Sequence, residues 1–186
     1  FDLAQVKGGK ILVKNLPAGT PFKTLDEVER KLFAEDLMIC DGESTPMCIG
    51  GVFGGATSGV SDQTTDIFLE SAFFNAKWIR RTMLRHGLRT DAAWSFEKGV
   101  DPNGTRRALD RAVALILELA GGAVASNPVD LYPAVIAPAR VTCEYARLNG
   151  LIGEQLSKAR IKAILTALEI GIEAETETGF TAIVPT

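Results

Sequence analysis

Leu37-Met38-Ile39-Cys40-Asp41-Gly42 is followed shortly by Met47-Cys48-Ile49-Gly50-Gly51-Val52-Phe53-Gly54-Gly55. The first run is short and continuously apolar, which predicts a buried strand ending in a turn at Asp41-Gly42. The second predicts another apolar segment running into a glycine-rich turn. Upstream, Lys10-Ile11-Leu12-Val13-Lys14 lies between Gly8-Gly9 and Pro17-Ala18-Gly19, so it reads as a strand between turns. Thr24 to Leu32 is a helix by composition, or a hairpin turned at Asp26-Glu27 with Val28 and Leu32 on its second arm; the hairpin is preferred. Residues 1 to about 60 are therefore β-rich. Downstream, Ile67-Phe68-Leu69 predicts one more short strand.

Two helices follow. Asn75 is suited to cap a helix over Ala76–His86, closed by Gly87. Asp101-Pro102 opens a second, with apolar residues at Ala108, Ala112, Leu115, Ile116 and Leu119, ended by Gly121-Gly122. Pro128, Pro133 and Pro138 then mark extended chain, because proline fixes φ and lacks an N–H. A domain boundary is expected near Ala137. Beyond it lie a strand at Arg140–Cys143, an amphipathic helix from Ser157 to Leu168 capped by Gly171, and a strand at Gly179–Val184. The expected fold is α+β: a mixed, largely antiparallel β core with flanking helices, then the start of a small helix-plus-hairpin module. Phe1 at the start, and Ile183-Val184-Pro185-Thr186 at the end, suggest a piece of a longer protein.

The chain has 186 residues, 46% hydrophobic and 23% charged, with a formal net charge of −3. That balance is ordinary for a globular protein and argues against coating nucleic acid by bulk electrostatics. No apolar run is long enough to span a bilayer, and no secretory leader is recognisable. Cys40, Cys48 and Cys143 have no metal-binding spacing and read as reduced, buried thiols in a cytoplasm. With His86 the single histidine, a histidine-rich metal site is excluded. The absence of a G-x-x-x-x-G-K-[ST] loop argues against a P-loop nucleotidase.

Four constellations remain. Gly50–Gly55 can bring bare N–H groups close to a ligand, although a bulged turn between strands is the preferred reading of this stretch alone. Glu70, after Ile67-Phe68-Leu69, either accepts a hydrogen bond in a pocket or faces water at a strand end; the residues do not separate these. Lys77, Arg80, Arg81, Arg85, His86 and Arg89 can share a helix face that binds RNA phosphates, though a solvated face is the better account of any single one. Gly87 to Pro102 is a long polar and aromatic stretch without helical or strand period, which suggests a pocket-lining loop.

That last stretch, G-L-R-T-D-A-A-W-S-F-E-K-G-V-D-P, resembles the G-L-R-T-[DE]-A-S-x-R-[FY]-E-[RK]-G-V-D-P signature of bacterial phenylalanyl-tRNA synthetase beta subunits. Gly50–Gly55 is similar to that family's A-G-V-[MF]-G-G motif, with Gly50 in place of alanine. Leu69–Phe74 resembles its L-E-x-A-x-F motif, and Phe1-Asp2 the end of its H-A-F-D motif. Leu148–Gly171 and Ile183–Thr186 resemble the start of the next module.

The resemblance implies an internal fragment of an α2β2 enzyme that charges tRNA(Phe) with phenylalanine, using ATP and Mg2+ at a site on the alpha subunit. Residues 1–137 would form an editing domain that hydrolyses tyrosine wrongly attached to that tRNA. Residues 138–186 would begin a DNA-binding-like module. Glu70 falls on the family glutamate that contacts the tyrosine hydroxyl, and Gly51 and Gly54 on its pocket wall. Thr90 and Ala92 fall on its R-T-x-A residues: the alanine leaves room for the ring, and the threonine offers a hydroxyl. A family histidine just upstream of the Phe1 position, and an arginine further upstream, lie outside this sequence. No nucleophile–base triad is evident, so a positioned water, with backbone groups and a tRNA hydroxyl assisting, is the expected attacking group. The implied partners are the alpha subunit, tRNA(Phe) and the tyrosine moiety; Arg80, Arg81, Arg85 and Arg89 are candidate tRNA contacts. No metal or cofactor site is expected in the fragment. The rival reading is a scaffold that docks tRNA or other parts of the synthetase without hydrolysis.

Overall fold

The four-stranded sheet at the centre of the first half is antiparallel, in the order β1 (Ile11–Asn15), β4 (Leu37–Asp41), β5 (Pro46–Ile49) and β6 (Phe53–Gly54). The computed structural model describes all residues, 1–186, and divides into two units, Phe1–Pro128 and Val129–Thr186.

β4 is apolar throughout because it is central: β1 pairs with one edge and β5 with the other, and its last four residues are buried. Asp41, at its end, is also buried. Its Oδ1 accepts from the backbone N–H groups of Glu43 (3.0 Å) and Thr45 (2.8 Å), so the carboxylate itself builds the turn into β5. The expected hairpin is present, β2 (Pro21–Lys23) pairing with β3 (Glu29–Lys31) through a turn that contains Asp26-Glu27. Leu32 is buried beyond its second arm, while Val28 is exposed.

Ile67-Phe68-Leu69 is not a strand of the sheet. Ile67 makes one isolated bridge to Asp2, and Phe68 exchanges backbone hydrogen bonds with Phe1. Past Asp2 the chain turns into a 3-10 segment at Leu3–Gln5, which ends the pairing on that side.

Helix α1 (Ala76–His86) has the bounds its caps predict: Asn75 accepts from the Lys77 N–H, and Gly87 ends it at φ 64°. The stretch expected to be a loop contains a helix, α2 (Asp91–Glu97), capped by Thr90. At seven residues it is too short for a periodic signal. The second long helix opens with a 3-10 turn, Pro102–Gly104, and continues as α3 (Thr105–Ala120) to Gly121. Ile79, Met83, Leu88 and Ala93 pack with Met38, Ile49, Val52 and Phe74 in one core. Residues 121–138 carry no helix or strand and are exposed.

In the second unit, β7 (Ala139–Glu144), β8 (Gly171–Glu173) and β9 (Gly179–Val184) form an antiparallel sheet ordered β7-β9-β8. An unexpected helix, α4 (Tyr145–Ile152), precedes α5 (Lys158–Ala167). Asn149 joins their loop, through Gln155 Oε1 and the backbone of Leu156. Gly171 starts β8 rather than capping α5; Leu168 is the cap, and Glu169 turns the chain at φ 58°. The architecture is α+β, with antiparallel sheets and five α-helices.

Candidate functional site

Gly51, Gly54, Glu70, Thr90 and Ala92, spread over three segments of chain, line one cavity of about 650 Å³ in the first unit. Its walls are otherwise mostly apolar, with Val52, Phe53, Ala72, Phe74 and Phe96 among them. Phe74 meets Phe96 edge to face at 5.0 Å. Such a wall suits a planar ring.

The glycine turn joins β5 to β6, so the bulged-turn and ligand-loop readings of Gly50–Gly55 describe one object. Gly51 sits at φ 69°, a region costly for residues with a Cβ. A Cβ there would also stand 2.6 Å from Phe74 Cδ2 and 2.8 Å from Ile79 Cδ1. At Gly54 φ is ordinary, and the added atom would meet a Leu25 methyl at 2.9 Å. Gly51→Ala should therefore cost about 2–4 kcal/mol in urea unfolding, through backbone strain plus overpacking. Gly54→Ala should cost about 1 kcal/mol or less, because the Leu25 side chain can rotate away. Equal losses would refute this account of the loop.

The Thr90 hydroxyl donates to the Val52 carbonyl at 2.6 Å and accepts from the Ala93 N–H at 3.0 Å. Its proton is committed to the glycine loop, so toward a ligand it presents acceptor capacity. It is also the pin that holds α2 against that loop. On the other side, Ser71 Oγ donates to the Thr105 carbonyl at 2.8 Å, tying the Glu70 segment to the start of α3.

Glu70 keeps contact with water, yet the protein around its carboxyl group raises the pKa above the ordinary glutamate value. Burial causes the rise. The Cys48 thiol, also on the cavity wall, is pushed up to about 12, by burial first and then by the charge of Glu70. At neutral pH it is a protonated thiol placed to donate to the carbonyls of Ile49 and Phe53, not a thiolate nucleophile.

Asp101, read from the sequence only as a helix cap, also lines the cavity while its Oδ1 accepts from the Asn103 N–H at 2.9 Å. The lining includes no Lys, Arg or His. His86 is not on the basic face of α1: its side chain is buried, and its Nε2 lies 2.6 Å from the buried carboxylate of Asp36. Arg85 is paired with Glu35 at 2.8 Å, and Arg81 lies over the Trp78 ring at 5.1 Å. Arg80 and Arg89 are exposed.

Comparison with known proteins places this architecture. The model of the B3/4 domain matches residues 1–121, which hold every residue of the cavity. The chain belongs to the B3/4 domain family. Over its whole length, 100% of the chain, it is 50% identical to the phenylalanine–tRNA ligase beta subunit of Bacteroides thetaiotaomicron and 41% identical to that of Geobacillus kaustophilus. The Bdellovibrio bacteriovorus beta subunit is 40% identical, again over all of the chain. The chain spans 22–23% of the length of these relatives. In this B3/4 domain no three His, Cys, Asp or Glu side chains are grouped to hold a metal ion. No helix is long and apolar enough to cross a membrane.

Proposed function

We propose that the cavity is an editing site within a cytoplasmic phenylalanine–tRNA ligase beta subunit, and that it hydrolyses the ester of tyrosine wrongly joined to tRNA(Phe). The observation that carries the reading is a carboxylate, Glu70, on the wall of a largely apolar and aromatic cavity. Tyrosine differs from phenylalanine by one hydroxyl, which an apolar synthetic site rejects only weakly. A second site that accepts a hydrogen bond from that hydroxyl selects the error, because phenylalanine leaves the carboxylate desolvated and unpaired.

In this mechanism Phe74 and Phe96 contact the ring, Ala92 leaves it space, and Glu70 accepts from the phenol. Water is the attacking group. Cys48 is protonated, His86 is sequestered, and the Thr90 and Ser71 hydroxyls donate to the backbone carbonyls of Val52 and Thr105, so none of these stands as a nucleophile paired with a base. In the glycine loop the Gly50, Val52 and Gly55 N–H groups already donate to the carbonyls of Leu37, Ile49 and Met47, so the Gly51 N–H is the amide assigned to the oxyanion, and Thr90 fixes that loop against α2. ATP and Mg2+ serve the charging reaction of the whole α2β2 synthetase. The residues of this chain offer no metal-holding group, and no editing step passes through either.

The test is deacylation of tyrosyl-tRNA(Phe) against phenylalanyl-tRNA(Phe) by the beta subunit carrying this chain, assembled with its alpha subunit. Hydrolysis of the tyrosyl ester with sparing of the phenylalanyl ester is expected. A folded protein that hydrolyses neither favours a tRNA-docking scaffold.

The raised pKa of Glu70 adds a pH signature. Above that pKa the carboxylate is charged and accepts strongly; as pH falls through it, the group protonates earlier than an ordinary glutamate does. Preference for the tyrosyl ester should therefore decline on acidification, beginning above the usual glutamate range, and Glu70→Gln should flatten the profile. A parent profile parallel to that of the glutamine variant would count against Glu70 as the selecting group.

A further inference from the structure

A second cavity, of about 340 Å³, adjoins the first at Phe74. Phe74 lines both, and the adjacent residues Gly50 and Gly51 line the second and the first respectively. The second is walled by Trp78, Asn15, Asn75 and Glu35, among others. Trp78 is 47% exposed, while Ile79 and Thr82 of the same helix are buried. Asn75 spends its Oδ1 on the Lys77 N–H, which leaves its amide N–H groups as donors. Asn15 spends an amide N–H on the Asp36 carbonyl, which leaves its Oδ1 as an acceptor. Glu35 is neutralised by Arg85 at 2.8 Å.

The helix that carries Trp78 contains Lys77, Arg80, Arg81 and Arg85 and no acidic residue, in a chain whose net charge is −3. Arg89 follows just beyond its cap. Only Arg85 of these is in an ion pair. An exposed indole with Arg81 over one face and the other left to a base, an amide donor, an amide acceptor and the exposed cations Lys77, Arg80 and Arg89 form the equipment that single-stranded RNA binding uses: stacking for a base, hydrogen bonds for its edge, charge for its phosphates.

We propose that the second cavity is a nucleobase site on a single-stranded RNA path along α1, with Trp78 as the stacking platform. α1 begins beside Phe74 and leads at its far end to Thr90, both on the wall of the first cavity. A strand lying along α1 thus has its end within reach of that cavity. The placement rests on the ester-hydrolysis reading only for why an RNA end should be there; the binding test does not depend on hydrolysis.

The test uses the 186-residue chain with Trp94→Phe, so that Trp78 is the single tryptophan, and oligoribonucleotides of mixed sequence that carry no aminoacyl ester. Single-stranded RNA should quench the Trp78 fluorescence. In the same background, affinity measured by anisotropy of labelled RNA should fall roughly 5- to 150-fold for Trp78→Ala, and far less for Trp78→Phe, which keeps a ring. Arg80→Ala should lower the slope of log affinity against log salt by about one, without loss of quenching at low salt. Unchanged affinity in Trp78→Ala overturns the proposal. So does duplex RNA that binds as tightly as the single strand, or an equal response to polyglutamate, which would mark an acidic-protein surface. Deacylation can fail while this binding stands, and the reverse, so the two readings fall separately.

Discussion

Glu70→Ala is expected to lower kcat/KM for deacylation of tyrosyl-tRNA(Phe) roughly 10- to 150-fold, the value of one hydrogen bond to a charged group, about 1.5–3 kcal/mol. The phenylalanyl ester makes no such bond, so its slow hydrolysis should stay level or rise as the pocket loses a carboxylate that a bare ring desolvates. The ratio of the two rates is therefore the readout, and it should collapse toward one. Because Glu70 retains solvent contact, the substitution should leave the unfolding midpoint nearly unchanged, which separates loss of recognition from loss of fold. Loss of both activities in equal proportion would assign Glu70 to the water or the ester instead of the hydroxyl. An unaltered ratio would remove it from the site.

Asp36→Ala should produce the largest loss of stability, about 3–5 kcal/mol, because it strips a buried network of its acceptor. The Asp36 carboxylate is fully buried and accepts from the Phe33 N–H (2.8 Å) and the Thr82 hydroxyl (3.2 Å), and it meets His86 Nε2 at 2.6 Å. Alanine would leave all three donors without a partner in the core. The network fastens the segment before β4 to α1, and Arg30 extends it by donating to the His86 carbonyl at 3.3 Å. Asp36→Asn, which keeps an oxygen for one or two donors, should lose clearly less. Urea unfolding of the three proteins tests the ordering. A loss under about 1 kcal/mol for alanine would mean that water enters and replaces the carboxylate.

Asp36 also marks a limit of sequence reading. In the sequence it is one acid in Glu35-Asp36, and His86 reads as the end of a basic helix face. Fifty residues separate them, and no local pattern says that they are one buried pair. Arg85 behaves similarly: a free cation in the sequence, it is bound to Glu35 in the fold.

Local chemistry sufficed where the decisive forces are local. Asn75 and Gly87 bound α1 because a side-chain oxygen and a residue free to adopt positive φ satisfy helix ends whatever the surroundings. The apolar run before Asp41 predicted the central strand, and Asp41 builds its own turn from residues two and four ahead. Tertiary structure decided the rest. α2 is too short to show a period; it persists because Thr90, its cap, is also bonded to Val52 across the glycine loop. Ile67-Phe68-Leu69 has strand composition, and whether it joins a ladder depends on a distant segment: Ile67 bridges Asp2, and Phe68 bonds to the Phe1 backbone. The residues around Glu70 left its surroundings undecided, and family resemblance, not spacing, singled it out. Only folding supplied the cavity, because the position of a carboxylate among Phe74, Phe96 and a glycine turn depends on packing between segments that no sequence window contains.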